Sequence, residues 1–190
     1  MAVREGMQAI VDEVQLNIGN STFLTEDQIQ SILDKNKLYL KSYVLSVQPI
    51  LATQTYKYYN YQSDYPYLES GSGVFRLFDG TGVNITTGFT ADYISGSFVF
   101  DNDQTGATRY MDAVTYDFNS AVAQCWRLIQ AQTAHLYDFS LEDRKFTRSQ
   151  WFDHCNTMAD FFAGQSTFKS TKTKSIPIER GDYVISNRNR

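Results

Sequence analysis

The chain has few histidines, cysteines and prolines, and it has no long apolar run. Among its 190 residues are only two histidines, two cysteines and three prolines. No stretch approaches the ~18 consecutive apolar residues of a membrane-spanning helix, and the mixed-charge N-terminus lacks the pattern of a signal peptide. A Walker loop, a G-x-S-x-G turn and an H-E-x-x-H motif are also missing. These absences exclude a membrane span and give no support to an enzyme.

The cysteines and histidines do not have the spacing of a zinc site. His154 and Cys155 are adjacent, so on a helix their side chains point about 100° apart. Cys125 and His135 are separated by about three helical turns. Both cysteines fall on apolar helical stripes, which predicts buried, reduced thiols that act as small hydrophobes. We expect no metal and no cofactor.

The loop at 101–112, DNDQTGATRYMD, imitates a calcium-binding loop only in part. The matching positions are Asp101, Asp103, Thr105, Gly106 and Asp112. The loop departs from the motif because it follows a strand-like segment and because aspartate replaces the bidentate glutamate. The pattern therefore favours a β-turn followed by Asp112 as a helix cap, and calcium binding is the less favoured alternative.

Charge is distributed unevenly along the chain. Residues 1–164 carry 11 basic and 19 acidic side chains, a balance of −8, whereas residues 165–190 carry 6 basic and 2 acidic ones, a balance of +4. A duplex-binding protein needs a clustered basic face on its folded part. The acidic body therefore argues against a duplex-binding surface, while the basic tail suits either nucleic acid or an acidic protein neighbour.

Aromatic residues are abundant, with 13 tyrosines and 13 phenylalanines. Tyrosine is enriched at protein interfaces and also in β-sheets. Six tyrosines cluster in the middle of the chain: Tyr56, Tyr58, Tyr59, Tyr61, Tyr65 and Tyr67. Two interpretations stay open, because these side chains suit contacts with a partner and also ordinary packing across neighbouring strands.

Two N-terminal segments have the apolar spacing of helices. Residues 3–18 place apolar side chains at intervals of three and four. A capping box, Thr25-x-x-Gln28, opens the second segment. Its apolar spacing predicts a helix of about six turns that ends near Pro49.

Two further helices are predicted in the second half of the chain. The first runs over 113–137 and the second over 148–163, both with clean apolar seams. Thr147-x-x-Gln150 is a capping box at the start of the last helix. Gly164 suits its end, where a left-handed residue is favoured.

Between the helix pairs, short runs of β-forming residues alternate with glycine-containing turns. They predict four to six short strands. The predicted fold is therefore α+β: a four-helix bundle body with an inserted small antiparallel β-sheet and an extended C-terminal arm. Residues 1–48 supply helices 1 and 2, 49–112 the β subdomain, 113–164 helices 3 and 4, and 165–190 the arm.

The arm is rich in serine, threonine and lysine but contains two β-prone apolar islands. These are Ile176, Pro177 and Ile178, preceded by Lys172 and Lys174, and then Tyr183, Val184 and Ile185. Such a segment cannot fold alone. A purely solvating tail has little use for isoleucine or valine, so we predict an arm that adds a strand to a neighbour's sheet edge, in preference to a frayed terminus.

A set of residues in 115–150 resembles a known family. The set comprises a Tyr-Asp pair at the start of a long helix, an aromatic-Asp-Phe-Ser turn and an Arg-Ser-Gln before the last helix: Tyr116, Asp117, Tyr137, Asp138, Phe139, Ser140, Arg148, Ser149 and Gln150. Asp138 and Arg148 are predicted to form an ion pair that clamps the turn. This pattern is similar to that of the head-to-tail connector, or adaptor, proteins of tailed bacteriophages.

The resemblance implies a structural virion protein. Such a connector forms a homo-oligomeric ring, commonly of twelve subunits, that docks beneath the portal protein and joins it to the next neck or tail protein. The ring lines the channel through which genome DNA passes, and an acidic body would not attract that DNA by counterion release. The arm would bind the portal or a neighbouring subunit, and the clustered tyrosines would make subunit or tail contacts. The expected location is the neck of the virion, after synthesis in the host cytoplasm.

A competing interpretation is a binding module. In that case the aromatic β insert recognises a host surface or a carbohydrate, and the helices serve as its mount. A connector assembles into rings with large interfaces, whereas a binding module can act as a monomer or trimer. An enzyme is not expected, because no convergent titratable groups accompany a nucleophile.

Overall fold

A computed structural model describes residues 3–134, 139–141, 144–146 and 148–166. These residues form four helices and seven strands in two antiparallel sheets, with a further two-stranded hairpin. Helix and strand contribute about equally. The prediction of a four-helix bundle body is therefore wrong, because a sheet forms an integral layer of the fold.

Two helices open the chain, and two more follow the seven strands of the sheets. The helices are α1 (Gln8–Asn17), α2 (Glu26–Lys35), α3 (Phe118–Thr133) and α4 (Arg148–Gly164). The strands are β1 (Lys37–Val44), β2 (Ser46–Ala52), β3 (Thr55–Gln62), β4 (Arg76–Asp79), β5 (Phe89–Asp92), β6 (Ser97–Phe100), β7 (Arg109–Tyr116), β8 (Phe139–Leu141) and β9 (Arg144–Phe146). Strands therefore cross both predicted boundaries of the β subdomain, at 48/49 and at 112/113.

The second helix is much shorter than predicted. It begins as expected, since Thr25 accepts from the Gln28 N–H and the Gln28 side chain accepts from the Thr25 N–H. It ends at Lys35 and is followed by Asn36, whose side chain donates to the Ile32 carbonyl at 2.9 Å. The following residues form β1, because the apolar spacing there fits a strand as well as a helix and β7 supplies the hydrogen-bonding partner.

The third helix also begins later than predicted. Residues 109–116 form β7, paired with β1 on one side and β4 on the other. Asp112 lies within this strand, so its predicted role as a helix cap is wrong. Asp117 is the actual cap, because its side chain accepts from the Ser120 N–H at 3.1 Å.

Two sheets and a helical layer stack around β7. The first sheet has the order β1-β7-β4, and the second has the order β2-β3-β6-β5. Met111 and Ala113 of β7 belong to the core between the sheets, whereas Val114 and Tyr116 belong to the core formed with the helices. Because successive side chains of a strand point to opposite faces, β7 contributes to both cores at once.

The helical core is built around α3. Cys125 and Ile129 of this helix are fully buried, as is Ile29 of α2. Cys155 and Ala159 place one face of α4 in the same core. The prediction that both cysteines are buried free thiols is confirmed.

Candidate assembly surfaces

Tyr116, one of the residues in 115–150 that resemble phage connectors, connects the N-terminal segment to the sheet through hydrogen bonds. Its hydroxyl donates to the carboxylate of Glu69, and the Arg4 guanidinium donates to the Tyr116 oxygen at 3.1 Å. Arg4 also donates to Glu69 through Nε at 3.1 Å and to both oxygens of Asp34 at 2.9 Å. Four side chains from distant parts of the sequence therefore meet in one network.

The network is partly removed from water. Glu69 is 3% exposed and Arg4 is 42% exposed. Burial, followed by the bond to Glu69, raises the pKa of Tyr116 well above its ordinary range. The bond to Asp34, together with that to Glu69, raises the pKa of Arg4. Tyr116 therefore stays a neutral donor and Arg4 a cation, which is a structural arrangement and not a proton-transfer one.

Asp117, the second residue of the motif, fixes the place from which the C-terminal arm leaves the body. It is 4% exposed. Besides capping α3, it accepts a hydrogen bond from the Ser166 hydroxyl. Asn119 donates to the Gln165 carbonyl at 3.0 Å, which adds a second bond at this point. The last described residues are thus tied to the start of α3.

An open cleft of about 330 Å³ lies beside this junction. It is lined by Asn36, Lys37, Leu38, Asp117, Ser120 and Ser166. Four of its polar side chains are already engaged in pairs, since Asn36 accepts from the Ser120 hydroxyl at 3.0 Å and Asp117 accepts from the Ser166 hydroxyl. A ligand site needs polar groups that converge on empty space. The cleft therefore has the character of a structural junction.

The remaining motif residues are only partly described. Phe139 and Ser140 lie in β8, which pairs with β9 as an antiparallel hairpin between α3 and α4. Ser149 and Gln150 are exposed in the first turn of α4. Tyr137, Asp138, Thr147 and the arm beyond Ser166 lie outside the described residues, and with them the proposed Asp138–Arg148 pair. The arm residues concerned are Lys172, Lys174, Ile176, Pro177, Ile178, Tyr183, Val184 and Ile185.

Strands β2 and β3 form a hairpin that extends beyond its sheet. The ladder between them runs from Ser46↔Gln62 to Ala52↔Thr55. Strand β6 pairs with β3 only at residues 60–62. Within the described part of the chain, residues 50–57, called the projecting hairpin below, are therefore two-stranded.

The turn of this hairpin has an unusual backbone. Thr53 and Gln54 both have positive φ, at 48° and 68°. Two-residue hairpin loops favour such angles at both positions, but they are usually filled by asparagine, aspartate or glycine. A β-branched residue in the left-handed region is a genuine outlier. The sequence thus holds a sharp hairpin turn without the residues that normally signal it.

Apolar side chains of the hairpin face solvent. Leu51 is 65% exposed, Tyr56 is 61% exposed and Ile50 is 45% exposed. Strand β2 is at the edge of its sheet and is exposed along almost its whole length. Pro49 lies at a bulge between Gln48 and Ile50, where its missing N–H interrupts no regular pair. Exposed apolar edges of this kind mark sites where another chain can add a strand.

The clustered tyrosines occupy different environments. Tyr61 is 1% exposed and belongs to the core between the sheets. The Tyr67 ring stacks on Phe118 with centroids 4.1 Å apart. Tyr65 makes an edge contact with Tyr43, and burial together with the bond to Asp64 raises the pKa of Tyr43 to about 12. These three rings pack within the subunit.

Tyr58 and Tyr59 are half-buried, and Tyr58 lies against Gly106. Among the clustered tyrosines, Tyr56 therefore offers the most accessible surface to a partner. Tyr39, which the sequence did not single out, is 66% exposed. Contacts between the cluster and another subunit stay a prediction.

The calcium-like loop has the bonds of a turn. Asp103 accepts from the Tyr58 and Thr105 N–H groups and pairs with Lys57 at 3.0 Å. Bonding to Lys57, followed by these backbone bonds, lowers the pKa of Asp103. Asp112 instead accepts from the Ser42 N–H and pairs with Arg76. In the part of the chain that the structure describes, no three His, Cys, Asp or Glu side chains are grouped for a metal ion.

No protein-family model and no curated protein matches this chain. The likeness to phage connectors therefore depends on the motif residues themselves. None of the helices within the described residues is both long and apolar enough to cross a bilayer.

Proposed function

We propose that this protein is the connector of a tailed bacteriophage. Copies of the chain associate into a ring, expected to contain twelve subunits, that docks beneath the portal and joins it to the next neck or tail protein. Genome DNA passes through the ring without sequence-specific contacts. The role needs no cofactor and no catalysis.

The projecting hairpin is the observation that carries the proposal. It presents Ile50, Leu51 and Tyr56 to solvent, and no other described strand pairs with the outer edge of β2. A protein that acts alone gains nothing from such a surface, which promotes aggregation unless a partner covers it. A ring covers one such surface on every copy through a repeated head-to-tail contact.

The motif residues support the same role. Tyr116 and Asp117 hold the N-terminal segment, the central sheet, α3 and the end of α4 together. A rigid junction at this point gives every subunit the same arm origin. In a symmetric assembly every copy makes the same contact, so the arm must start from the same place in every subunit.

The distribution of charge is also consistent with a DNA channel. The body has a balance of −8 over residues 1–164. Counterion release drives non-specific binding of DNA to basic surfaces. An acidic ring gains none of this attraction, so DNA can slide through it.

Electron microscopy of particles that contain the protein tests the proposal. The expected result is a ring beneath the portal with more than ~1,000 Å² buried between adjacent subunits. Leu51→Lys should prevent ring formation on the portal. Val83→Lys is the matched control, because Val83 is 61% exposed and lies outside the projecting hairpin, in the turn after β4 where its carbonyl accepts from the Asp79 N–H. This variant should leave assembly unchanged.

One result would contradict the connector role, and a second would contradict only the assignment of the projecting hairpin as its contact. The protein could be located away from the neck, and a distal, host-facing position would favour the binding-module alternative. Normal ring formation by Leu51→Lys would show that the projecting hairpin is not the contact. Circular dichroism of both variants confirms that the substitutions leave the fold intact.

A further inference from the structure

We infer that the edge of β2 accepts the C-terminal arm of a second copy of this chain, with Tyr183, Val184 and Ile185 forming the added strand. The inference rests on the proposed ring and identifies one of its subunit contacts. The pairing requires no other protein.

The acceptor is the distal half of β2. Ile50, Leu51 and Ala52 follow the bulge and pair on one side with residues 55–57 of β3. In the sheet order β2-β3-β6-β5, the other side of β2 has no partner among the described strands. Backbone groups on that side can therefore hydrogen-bond to an incoming extended segment.

The arm contains a suitable donor. Tyr183, Val184 and Ile185 are all strand formers and all carry a backbone N–H. The other island is interrupted by Pro177, which cannot donate to a ladder. Side chains alternate along a strand, so an added strand placing Val184 beside Leu51 covers its exposed surface.

The arm is long enough to reach a neighbour. It starts at Ser166, which lies beside Lys37, the first residue of β1, at the same cleft. The 17 residues from Ser166 to Tyr183 span up to ~56 Å when extended. The path along β1 and β2 from Lys37 at the cleft to Leu51 covers at most ~46 Å. The difference leaves room to cross to the next subunit.

Charge complements the pairing. Residues 45–108, which include the second sheet, carry 2 basic and 6 acidic side chains, a balance of −4, or −3 without Glu69, which is buried and paired with Arg4. The arm over 165–190 has a balance of +4. Opposite charges favour association between the arm of one copy and this region of the next. Exchange of arms between neighbours is a heterologous contact, and such contacts form a ring when the rotation between subunits closes.

Cysteine cross-linking of the full chain tests the inference. A Leu51→Cys chain and a differently tagged Val184→Cys chain are mixed and treated with a short bismaleimide. We expect at least a tenfold higher yield of the mixed dimer than for Val83→Cys with Val184→Cys. Val83 and Leu51 are 61% and 65% exposed, so accessibility alone cannot produce this difference. The native cysteines are buried, and the unsubstituted chain serves as the background.

Adding Tyr183→Pro to the Val184→Cys chain should reduce the yield to that of the Val83 control, because proline removes a donor from the added strand.

Equal yields for Leu51 and Val83 would overturn the inference. So would a concentration-independent cross-link within one Leu51→Cys/Val184→Cys chain, which would mean that the arm covers its own β2. A ring seen beneath the portal without these cross-links would leave the connector role standing and remove only this contact. If the cross-links form but the protein lies elsewhere in the virion, the connector role would be wrong and the contact between the arm and β2 would stand.

Discussion

Replacing Arg4 with methionine leaves the buried carboxylate of Glu69 without its cation. Glu69 is 3% exposed, and its described partners are Arg4 and the Tyr116 hydroxyl. Methionine keeps an unbranched apolar stem, so the change removes mainly charge and hydrogen bonds. The substitution therefore measures what the Tyr116 junction contributes to the folded state.

The expected loss of unfolding free energy is about 3 kcal/mol. Removing one partner of a buried ion pair costs ~3–5 kcal/mol. The lower end applies here because Arg4 is 42% exposed, and water can partly replace it. Urea denaturation followed by tryptophan fluorescence measures this loss, and with a slope of ~2 kcal/mol per molar the midpoint falls by ~1.5 M.

Two further variants separate this effect from general damage. Asp34→Asn removes the partner of Arg4 that is 28% exposed and should cost less than ~1 kcal/mol. Combining Arg4→Met with Glu69→Gln removes the stranded charge but keeps an acceptor for Tyr116, so the double variant should regain about half of the stability lost by Arg4→Met, ~1.5 kcal/mol. A loss below ~1 kcal/mol for Arg4→Met, or no recovery in the double variant, would refute the argument.

Three other predictions concern single positions. Gly96→Ala should cost ~2 kcal/mol more unfolding free energy than Gly88→Ala, measured by thermal unfolding. Both glycines have positive φ, but of the two only Gly96 would place a Cβ against a backbone oxygen, that of Tyr65 at 2.8 Å. Equal costs would contradict this contact. Burial raises the pKa of Cys125 from 9.0 to about 12, so at pH 8 its thiolate fraction is ~1,000-fold lower than that of an exposed cysteine. Thiol reagents should therefore label Cys125 only after denaturation. Rapid labelling of the native protein would be inconsistent with this burial. Thr25→Ala should cost ~1 kcal/mol and Thr25→Ser much less, measured by urea unfolding, and an equal loss for both would mean that the hydroxyl does not cap α2.

Local signals in the sequence predicted local structure well. The capping box at Thr25 is confirmed because both of its partners lie within one helical turn. The span of α4 agrees with its apolar seam to within a residue. Burial of Cys125 and Cys155 followed from their place on apolar stripes.

Elements that depend on distant partners were not predictable in the same way. The segment after Lys35 became β1 because β7, more than 70 residues later, pairs with it. Leu40, Tyr43 and Val44 fit a helical period equally well, so periodicity could not choose between the two. For the same reason the start of α3 was placed too early.

The projecting hairpin was missed for a related reason. Whether a strand lies at an edge depends on which strands pair, and the sequence of β2 does not contain that information. The turn at Thr53 and Gln54 also lacks the glycine or asparagine that signals a two-residue loop. A weak cue was available in Pro49, because proline within a β-prone run is typical of an edge strand.

The place of β7 between two cores limits how the chain can change in length. Met111 and Ala113 fill one core, while Val114 and Tyr116 fill the other. Inserting or deleting a single residue here would exchange the two sets of side chains between the cores. The Tyr116 hydroxyl would then leave Glu69 at the same time. Relatives of this protein should therefore vary in length within their surface loops and keep this strand free of insertions and deletions.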